Sequence, residues 1–187
     1  MLTLFGPDGG RIGENDDFDG LNAQVDMTTP LQPGTYCVGI NALNDTALPI
    51  TVSITEFDPA AALIKLYNEG QAAPPLDGSF PVTPLGTLQS RLQHDIQAGG
   101  NVSWFTIDVD DNSILLVEAI GTGGSDPTIV IYDDLGRLIG ENDDYGGGQD
   151  SLSMIRVQGG TYIIGVRKYG EDMGFVRLLV ERYVRAQ

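Results

Sequence analysis

The chain has 187 residues, of which 41% are hydrophobic, so it is long enough for one or two domains with packed cores. Its formal charge of −16 argues against nucleic acid or an anionic membrane surface as a partner, because both attract basic patches. The single cysteine, Cys37, allows no disulfide within the chain, and no apolar stretch is long enough to span a membrane. We therefore predict no nucleic-acid binding and no membrane insertion.

The N-terminal part of the chain predicts short strands over residues 2–5, 11–13, 35–40 and 50–55. The last of these has the clearest alternation, with an isoleucine or valine at every second position. Turn residues separate the first two strands, as in a hairpin. We assign residues 1–57 to a first β unit.

A change of pattern follows at Asp58. Aspartate before Pro59, with Gly70 further on, is typical of a helix start and a helix end, and predicts a short helix over 59–68. Residues 71–86 are rich in proline and show little periodicity, which predicts an extended connection. Residues 58–86 are therefore predicted to be a linker that contains a short helix.

From residue 87 to 187 the pattern is again that of short strands with turns between them. Such a series is typical of an all-β, antiparallel β-sandwich. The predicted strands are 102–109, 114–120, 128–132, 161–167 and 176–184.

The two β units are related by an internal repeat. Residues 12–18, Ile-Gly-Glu-Asn-Asp-Asp-Phe, recur at 139–145 with Tyr145 in place of Phe18. The first copy has no counterpart of residues 87–128, so we predict an incomplete sandwich with open sheet edges. Either the chain starts inside a longer natural sequence, or the linker, the second domain or a second chain covers the open face. Self-association through the first unit is one such arrangement.

The motifs of the second unit follow a characteristic order. Together with an aromatic strand at Trp104, this order resembles the pre-peptidase C-terminal (PPC) domain of bacteria and archaea. The motifs are Asp126-Pro127, the strand 129–132, a turn at 134–136, Asn142-Asp143-Asp144, the glycines at 146–148, Gly160-Thr161-Tyr162 and the closing strand 174–184.

The resemblance covers nearly all of the second unit and the later half of the first. It implies two copies of a small jelly-roll-like β-sandwich, which is not itself catalytic and occurs in secreted proteins, often beside peptidase domains. Related modules of clostridial collagenases bind calcium and extracellular matrix.

The two acidic turns are candidate calcium sites. Calcium takes several oxygen ligands from carboxylates, asparagine and backbone carbonyls, and a cation would relieve the repulsion between adjacent carboxylates. The alternative is ordinary turn chemistry, in which these side chains bond to their own backbone. In the second copy, the acidic stretch is expected to face Asp133 or Asp134 across the hairpin. The predicted ligands are Asp133, Asp134, Glu141, Asn142, Asp143 and Asp144 in the second copy, and Glu14, Asn15, Asp16 and Asp17 in the first.

Catalytic motifs are not found in the sequence. His94 is the only histidine, and no nucleophile signature accompanies it. The stretch that starts at Asp108 resembles an EF-hand loop, but Ser113 and Ala119 stand where the loop needs glycine and glutamate.

We therefore predict a non-catalytic accessory or binding module of an exported protein, which is secreted, periplasmic or at the cell surface. An extracellular protein or polysaccharide is the expected partner, and Ca²⁺ is a candidate stabilising ion. The alternative is the extracellular part of a hydrolase, a peptidase or glycosidase, whose catalytic domain lies outside this chain. A weak carboxylate-based glycosidase within the chain is a further alternative.

Overall fold

The computed structural model describes residues 1–18, 20–42, 49–170 and 172–184. It divides into two compact units, Met1–Ala61 (unit 1) and Ala62–Gln187 (unit 2). Glu171 and residues 185–187, which belong to the predicted second domain, lie outside the described residues.

The described residues of unit 1 form one three-stranded antiparallel sheet. Its strands are β1 (Leu2–Phe5), β2 (Arg11–Asn15) and β3 (Cys37–Ile40), in the order β2-β1-β3. A glycine turn joins β1 to β2, in which the N–H of Gly6 donates to the carbonyl of Gly10 at 2.8 Å. Gly9, in the same turn, has a φ of +78°, which favours glycine because it has no Cβ.

The helix α1 spans Pro59–Glu69, where the sequence predicts a helix over 59–68. The side chain of Asp58 accepts the N–H of Ala60 at 2.9 Å and so caps the first turn. Gly70 ends the helix with a φ of +77°, and its N–H donates to the carbonyl of Tyr67 at 3.2 Å. Capping at both ends therefore explains the bounds of the helix.

Unit 2 is a sandwich of two sheets, ordered β10-β7-β12-β5 and β4-β6-β11-β8-β9. Neighbouring strands are antiparallel, except that β4 runs parallel to β6. The strands are β4 (Thr83–Thr87), β5 (Arg91–Ala98), β6 (Ser103–Val109), β7 (Ser113–Thr122), β8 (Pro127–Asp133), β9 (Leu138–Asn142), β10 (Ser151–Val157), β11 (Gly160–Lys168) and β12 (Gly174–Tyr183).

The main core lies between these two sheets. Leu115 and Leu178 come from the four-stranded sheet, Ile131 and Ile164 come from the five-stranded one, and all four are fully buried. Alternate residues of a strand point to the same face, so the period-two pattern of the sequence places them together. Burying each such side chain stabilises the fold by about 1.5–3 kcal/mol. The predicted all-β sandwich is confirmed.

A second, smaller cluster covers the outer face of the five-stranded sheet. Val102, Trp104, Tyr132 and Ile163 form it, and residues from the segment that follows α1, such as Phe80, pack against it. Both faces of this sheet therefore carry apolar side chains.

The segment predicted as a linker differs from the prediction. Residues from Ala62 onward belong to the compact unit 2, and β4 adds an edge strand that contains Pro84. An edge strand tolerates proline, because the missing N–H would not be needed by a second neighbour. The prolines that indicated an extended connection are compatible with this packed segment.

The strand predicted over residues 50–55 is not formed, and Ile54 is 85% exposed. Its counterpart in the repeat is β12, which lies between β7 and β5. Neither of those strands has a counterpart among the described residues of unit 1. A strand needs neighbours for its backbone N–H and C=O groups, and the alternating pattern alone does not supply them.

The strand pairing of unit 1 repeats that of unit 2. β2-β1-β3 has the order of β9-β8-β11, and the β-bulge before Phe5 is repeated before Tyr132. The matched pairs are Leu2–Asn15 with Ile129–Asn142, and Leu2–Ile40 with Ile129–Val166. The repeat in the sequence therefore corresponds to a repeat of local backbone pairing.

Candidate functional site

The first predicted ligand, Asp133, lies at the turn between β8 and β9 and is nearly buried. Its Oδ1 accepts the N–H groups of Leu135 and Arg137 at 3.0 and 2.9 Å, and Arg137 Nε donates to its Oδ2 at 2.6 Å. Burial raises the pKa of Asp133, but the hydrogen bonds and charge of Arg137 outweigh it, so the pKa lies below its ordinary value. The carboxylate therefore stabilises the turn.

The register of this hairpin separates the predicted ligands of unit 2. Leu138 pairs with Tyr132 beside the turn, whereas Asn142 pairs with Ile129 at the other end. Asp133 is four residues from Ile129, the partner of Asn142. At a rise of about 3.3 Å per residue, Asp133 and Asn142 are therefore separated by about 13 Å along the strand direction. The predicted arrangement, in which Asp133 or Asp134 faces the acidic stretch across the hairpin, is not formed, because antiparallel pairing places them at opposite ends.

The asparagines of both acidic turns bond to backbone groups. Asn142 Oδ1 accepts the N–H of Leu152 at 3.0 Å, and Asn15 Oδ1 accepts the N–H of Gln24 at 3.2 Å. In each copy the asparagine side chain thus links the end of the hairpin to a segment about ten residues later in the chain. These contacts fit the turn chemistry that is the alternative to calcium.

Glu14 also has partners within unit 1. Arg11 Nη1 donates to its Oε2 at 2.9 Å, and the Thr3 hydroxyl lies 3.3 Å from the same oxygen. The ion pair is exposed, so it stabilises the hairpin by at most about 1 kcal/mol.

The remaining acidic candidates, Asp16, Asp17, Asp134, Glu141, Asp143 and Asp144, are exposed. Within the part of the chain that the structure describes, no three His, Cys, Asp or Glu side chains lie close enough together to hold a metal ion. Calcium binding stays a prediction.

A cleft of about 690 Å³ lies on the outer face of the five-stranded sheet in unit 2. No motif in the sequence indicates this cleft, although Glu141, a predicted ligand, lines it. Its walls come from the end of α1, from the loop between β5 and β6, and from β8, β9 and β11. The lining residues are Glu69, Gly70, Gln71, Gly100, Asn101, Val130, Tyr132, Leu138, Glu141 and Arg167.

Three hydrogen bonds hold the end of α1 against the sheet beside this cleft. Trp104 Nε1 donates to the carbonyl of Tyr67 at 3.1 Å, and the Tyr132 hydroxyl donates to that of Gly70 at 2.8 Å. The N–H of Val102 donates to the carbonyl of Asn68 at 2.9 Å. The two side-chain donors are buried, where leaving them unpaired would cost about 1–3 kcal/mol each. The cleft therefore has a well-anchored wall.

The cleft is polar and carries more negative than positive charge. Glu69 and Glu141 contribute carboxylates, and Arg167 contributes a guanidinium whose Nε donates to Thr128 Oγ1 at 3.3 Å. Burial raises the pKa of Tyr132, and the nearby charge of Glu141 raises it further, so this hydroxyl is protonated at neutral pH. The arrangement offers hydrogen-bond donors and acceptors to a ligand.

His94 lies on β5 with its ring edge against Phe105, at 5.2 Å between ring centres and 63° between planes. This contact places the imidazole in side-chain packing rather than in the cleft. Of the helices in the described residues, none combines the length and the hydropathy that a membrane span requires.

Comparison with known proteins found no matching protein family and no matching curated protein. Similar solved structures include the pre-peptidase C-terminal domain of a collagenase from Bacillus anthracis. That domain has 16% sequence identity and a TM-score of 0.45, and the match covers 54% of this chain and 95% of the other.

Two further structures have lower TM-scores. The periplasmic g-type lysozyme inhibitor PliG of Aeromonas hydrophila has 13% identity and a TM-score of 0.37, covering 55% of this chain and 99% of its own. CorA, a surface-associated copper-binding protein of Methylomicrobium album BG8, has 10% identity and a TM-score of 0.38, covering 56% and 100%. These likenesses are too distant to assign a family, so membership of the PPC family and the presence of two copies stay predictions.

Proposed function

We propose that this chain is a non-catalytic accessory module of an exported protein, and that the cleft beside the end of α1 binds an extracellular polymer. The observation that carries the proposal is the cleft itself. Polar side chains from five separate segments of the chain line its wall and its floor. Binding sites are typically concave and have a few polar groups that orient the ligand.

The scaffold of the cleft supports this function. Its floor is a sheet whose other face is packed in the main core, and its wall is tied to that sheet by buried hydrogen bonds from Trp104 and Tyr132. A site on rigid elements loses little conformational entropy when a ligand binds.

The charges of the cleft indicate the chemistry of the polymer. Glu69, Glu141 and one guanidinium, that of Arg167, line the cleft, and Glu69 also forms an exposed ion pair with Lys65 at 3.6 Å. The chain as a whole has a charge of −16. An acidic polymer is repelled by such a surface, whereas neutral hydroxyl-rich or basic chains are not. We therefore propose a neutral polysaccharide or a basic protein segment as the ligand.

The test is titration of the full chain with three probes: a neutral glucan, a lysine-rich peptide and polyglutamate. We expect saturable binding of one of the first two and none of polyglutamate. Glu141→Ala and Asn101→Ala should weaken that binding about tenfold, because each removes one polar contact worth about 1.4 kcal/mol. Asp134→Asn, an exposed carboxylate outside the cleft, is the matched control and should bind as the wild type does.

Two outcomes would contradict the proposal. If all three probes fail to bind, or if the cleft variants bind as tightly as the control, the cleft is not the site. If the isolated chain degrades a probe and Asp143→Asn abolishes that turnover, the weak glycosidase reading replaces it. A hydrolase whose catalytic domain lies outside this chain stays an alternative, since binding by the module is compatible with it.

A further inference from the structure

A second concavity lies near the cleft, beside the edge strand β4 and the start of β6. Its volume is about 360 Å³. Phe80 and Trp104, which line it, belong to the apolar cluster on the outer face of the five-stranded sheet, the face that also carries the cleft. We call this concavity the β4 pocket. It has no part in the function proposed above for the cleft.

The end of α1 and the start of β6 lie between the β4 pocket and the cleft. Asn68 lines the pocket, and its chain neighbour Glu69 lines the cleft. In the same way Val102 lines the pocket and Asn101 lines the cleft. The N–H of Val102 donates to the carbonyl of Asn68 at 2.9 Å, which joins these two segments. The two concavities are therefore neighbours on one surface.

Together the two concavities extend across the sheet, transverse to its strands. The cleft is lined from β9, β8 and β11, and the β4 pocket is lined from β6 and β4. Between β9 and β4 there are four inter-strand steps, which at about 4.8 Å each give a span of about 19 Å. One sugar ring or one amino-acid side chain is shorter than this span. A ligand that occupies both concavities must therefore be a chain.

The chemistry of the β4 pocket differs from that of the cleft. None of the described residues that line it is ionisable, whereas the cleft has two carboxylates and a guanidinium. Its lining combines the aromatic residue Phe80 with the polar residues Asn68, Thr83 and Ser103. A basic side chain that entered it would lose hydration without gaining a counter-charge. A sugar ring has an apolar C–H face as well as hydroxyl groups, and finds partners for both.

Local contacts hold Phe80 in position. Its ring lies edge-on to that of Tyr67, with 5.1 Å between the ring centres and 68° between the planes. In the turn before it, Asp77 Oδ1 accepts the N–H of Ser79 at 2.9 Å. Phe80 is half-buried, so part of its side chain stays accessible. The aromatic group is therefore positioned before a ligand binds, which lowers the entropic cost of binding.

We propose that the cleft and the β4 pocket are two subsites of one surface that binds a neutral polysaccharide across the sheet. This inference rests on the proposed function of the cleft, and it selects a polysaccharide over a basic protein segment as the ligand. A chain that fills both subsites gains the second set of contacts without a second loss of translational freedom. Affinity should therefore depend on the length of the saccharide.

The test is calorimetric titration of the full chain with the disaccharide, tetrasaccharide and hexasaccharide of a neutral glucan. We expect the hexasaccharide to bind at least about tenfold more tightly than the disaccharide. Asn68→Ala and Phe80→Leu should remove most of this gain and leave disaccharide binding unchanged, because the disaccharide fills the cleft alone. Phe80→Leu keeps an apolar side chain against the outer cluster, and thermal unfolding checks that both variants are folded. Leu76→Ala, at an exposed position outside both concavities, is the matched control.

The outcomes separate this inference from the function of the cleft. If the hexasaccharide binds no more tightly than the disaccharide, or if Asn68→Ala and Phe80→Leu bind it as tightly as Leu76→Ala does, the β4 pocket is not a subsite. The cleft is then still the binding site provided that Glu141→Ala weakens binding of both saccharides. If a lysine-rich peptide binds and no saccharide does, the ligand is a basic segment and the inference is wrong. If neither binds, the proposed function is wrong as well.

Discussion

The two hairpin-containing sheets of this molecule have the same local pairing and opposite environments. β1, β2 and β3 match β8, β9 and β11 in order, register and the position of a bulge. Even the turn hydrogen bond of Gly6 has its counterpart in that of Asp133 with Arg137. In unit 2 the matched face is covered by a second sheet, whereas in unit 1 Val38 and Ile40 are exposed.

This difference separates two contributions to a β-sheet that normally occur together, namely the pairing of its strands and the burial of its face. Turn residues and alternation specify which residues pair, because these preferences act within a short stretch of chain. Burial of the paired sheet depends on strands that are distant in the sequence. In unit 2 the second contribution comes from residues 91–122, and the described residues of unit 1 form no strands that match them.

The largest expected effect comes from truncation to alanine at matched positions in the two sheets. Ile164→Ala removes a fully buried side chain and should lower the free energy of unfolding of unit 2 by about 2–5 kcal/mol. Val38→Ala should cost less than about 1 kcal/mol in unit 1, because this side chain is part exposed. Denaturant unfolding followed by Trp104, the only tryptophan, measures the first, and hydrogen exchange measures the second. Equal costs would show that the two faces are equally buried.

A smaller effect is expected from adding a methyl group at matched glycines. A Cβ on Gly165 would lie 2.7 Å from both Val102 and Val130, so Gly165→Ala should destabilise unit 2 by about 1–3 kcal/mol. At Gly39 the nearest atom, in the Phe5 ring, is 3.3 Å away, and Gly39→Ala should be close to neutral. The same two methods apply. A neutral Gly165→Ala would contradict the tight packing of Trp104 over β11.

The β8–β9 turn of unit 2 is stabilised by the ionised side chain of Asp133, whereas the matching position in unit 1 is Gly6. Asp133→Ala should cost about 1–2 kcal/mol at pH 7, because it removes hydrogen bonds to a charged acceptor. Since the pKa of Asp133 is lowered in the folded state, its stabilising effect is present above its unfolded pKa and is lost as the pH falls through the folded value. The difference between wild type and Asp133→Asn in urea midpoint should therefore shrink below about pH 4. Asp134→Asn is the exposed control, and a difference that persists in acid would exclude this role.

The smallest expected effect is that of calcium. If an acidic turn binds Ca²⁺ with a dissociation constant near 1 mM, then 5 mM Ca²⁺ should stabilise that unit by about 1 kcal/mol. Thermal unfolding with calcium and then with chelator measures this, with Asp143→Asn and Asp16→Asn testing the two copies separately. Asp110→Asn, in an exposed turn, is the control. No rise in either midpoint would leave both stretches as ordinary turns.

The sequence predicted those parts of the fold that depend on local signals. Asp58, Pro59 and Gly70 predicted the helix, and the repeated heptad predicted the matched hairpins. β5 and β10 were missed, although Leu92, Ile96 and Ala98 show the alternation of a strand. The strand over 50–55 was predicted from the same kind of pattern but is not formed, because pairing requires neighbours that no local pattern reports.

The candidate site was less predictable than the fold. The cleft joins Glu69 from α1, Asn101 from a loop, Glu141 from β9 and Arg167 from β11, which no spacing in the sequence brings together. The predicted grouping of Asp133 with Asn142 failed for a related reason. Their proximity depended on which end of the hairpin each occupies, and the register, not the composition, decides that.

The anchoring of α1 has a consequence for how this surface can evolve. The helix end contributes only main-chain carbonyls, those of Tyr67, Asn68 and Gly70, to the three bonds that hold it. Side chains beside the cleft, such as Glu69 and Gln71, can therefore be exchanged by mutation without loss of those bonds. If the cleft has the proposed binding function, natural variation at these two positions would alter its specificity while the scaffold stays unchanged, so divergence of specificity would need few compensating substitutions.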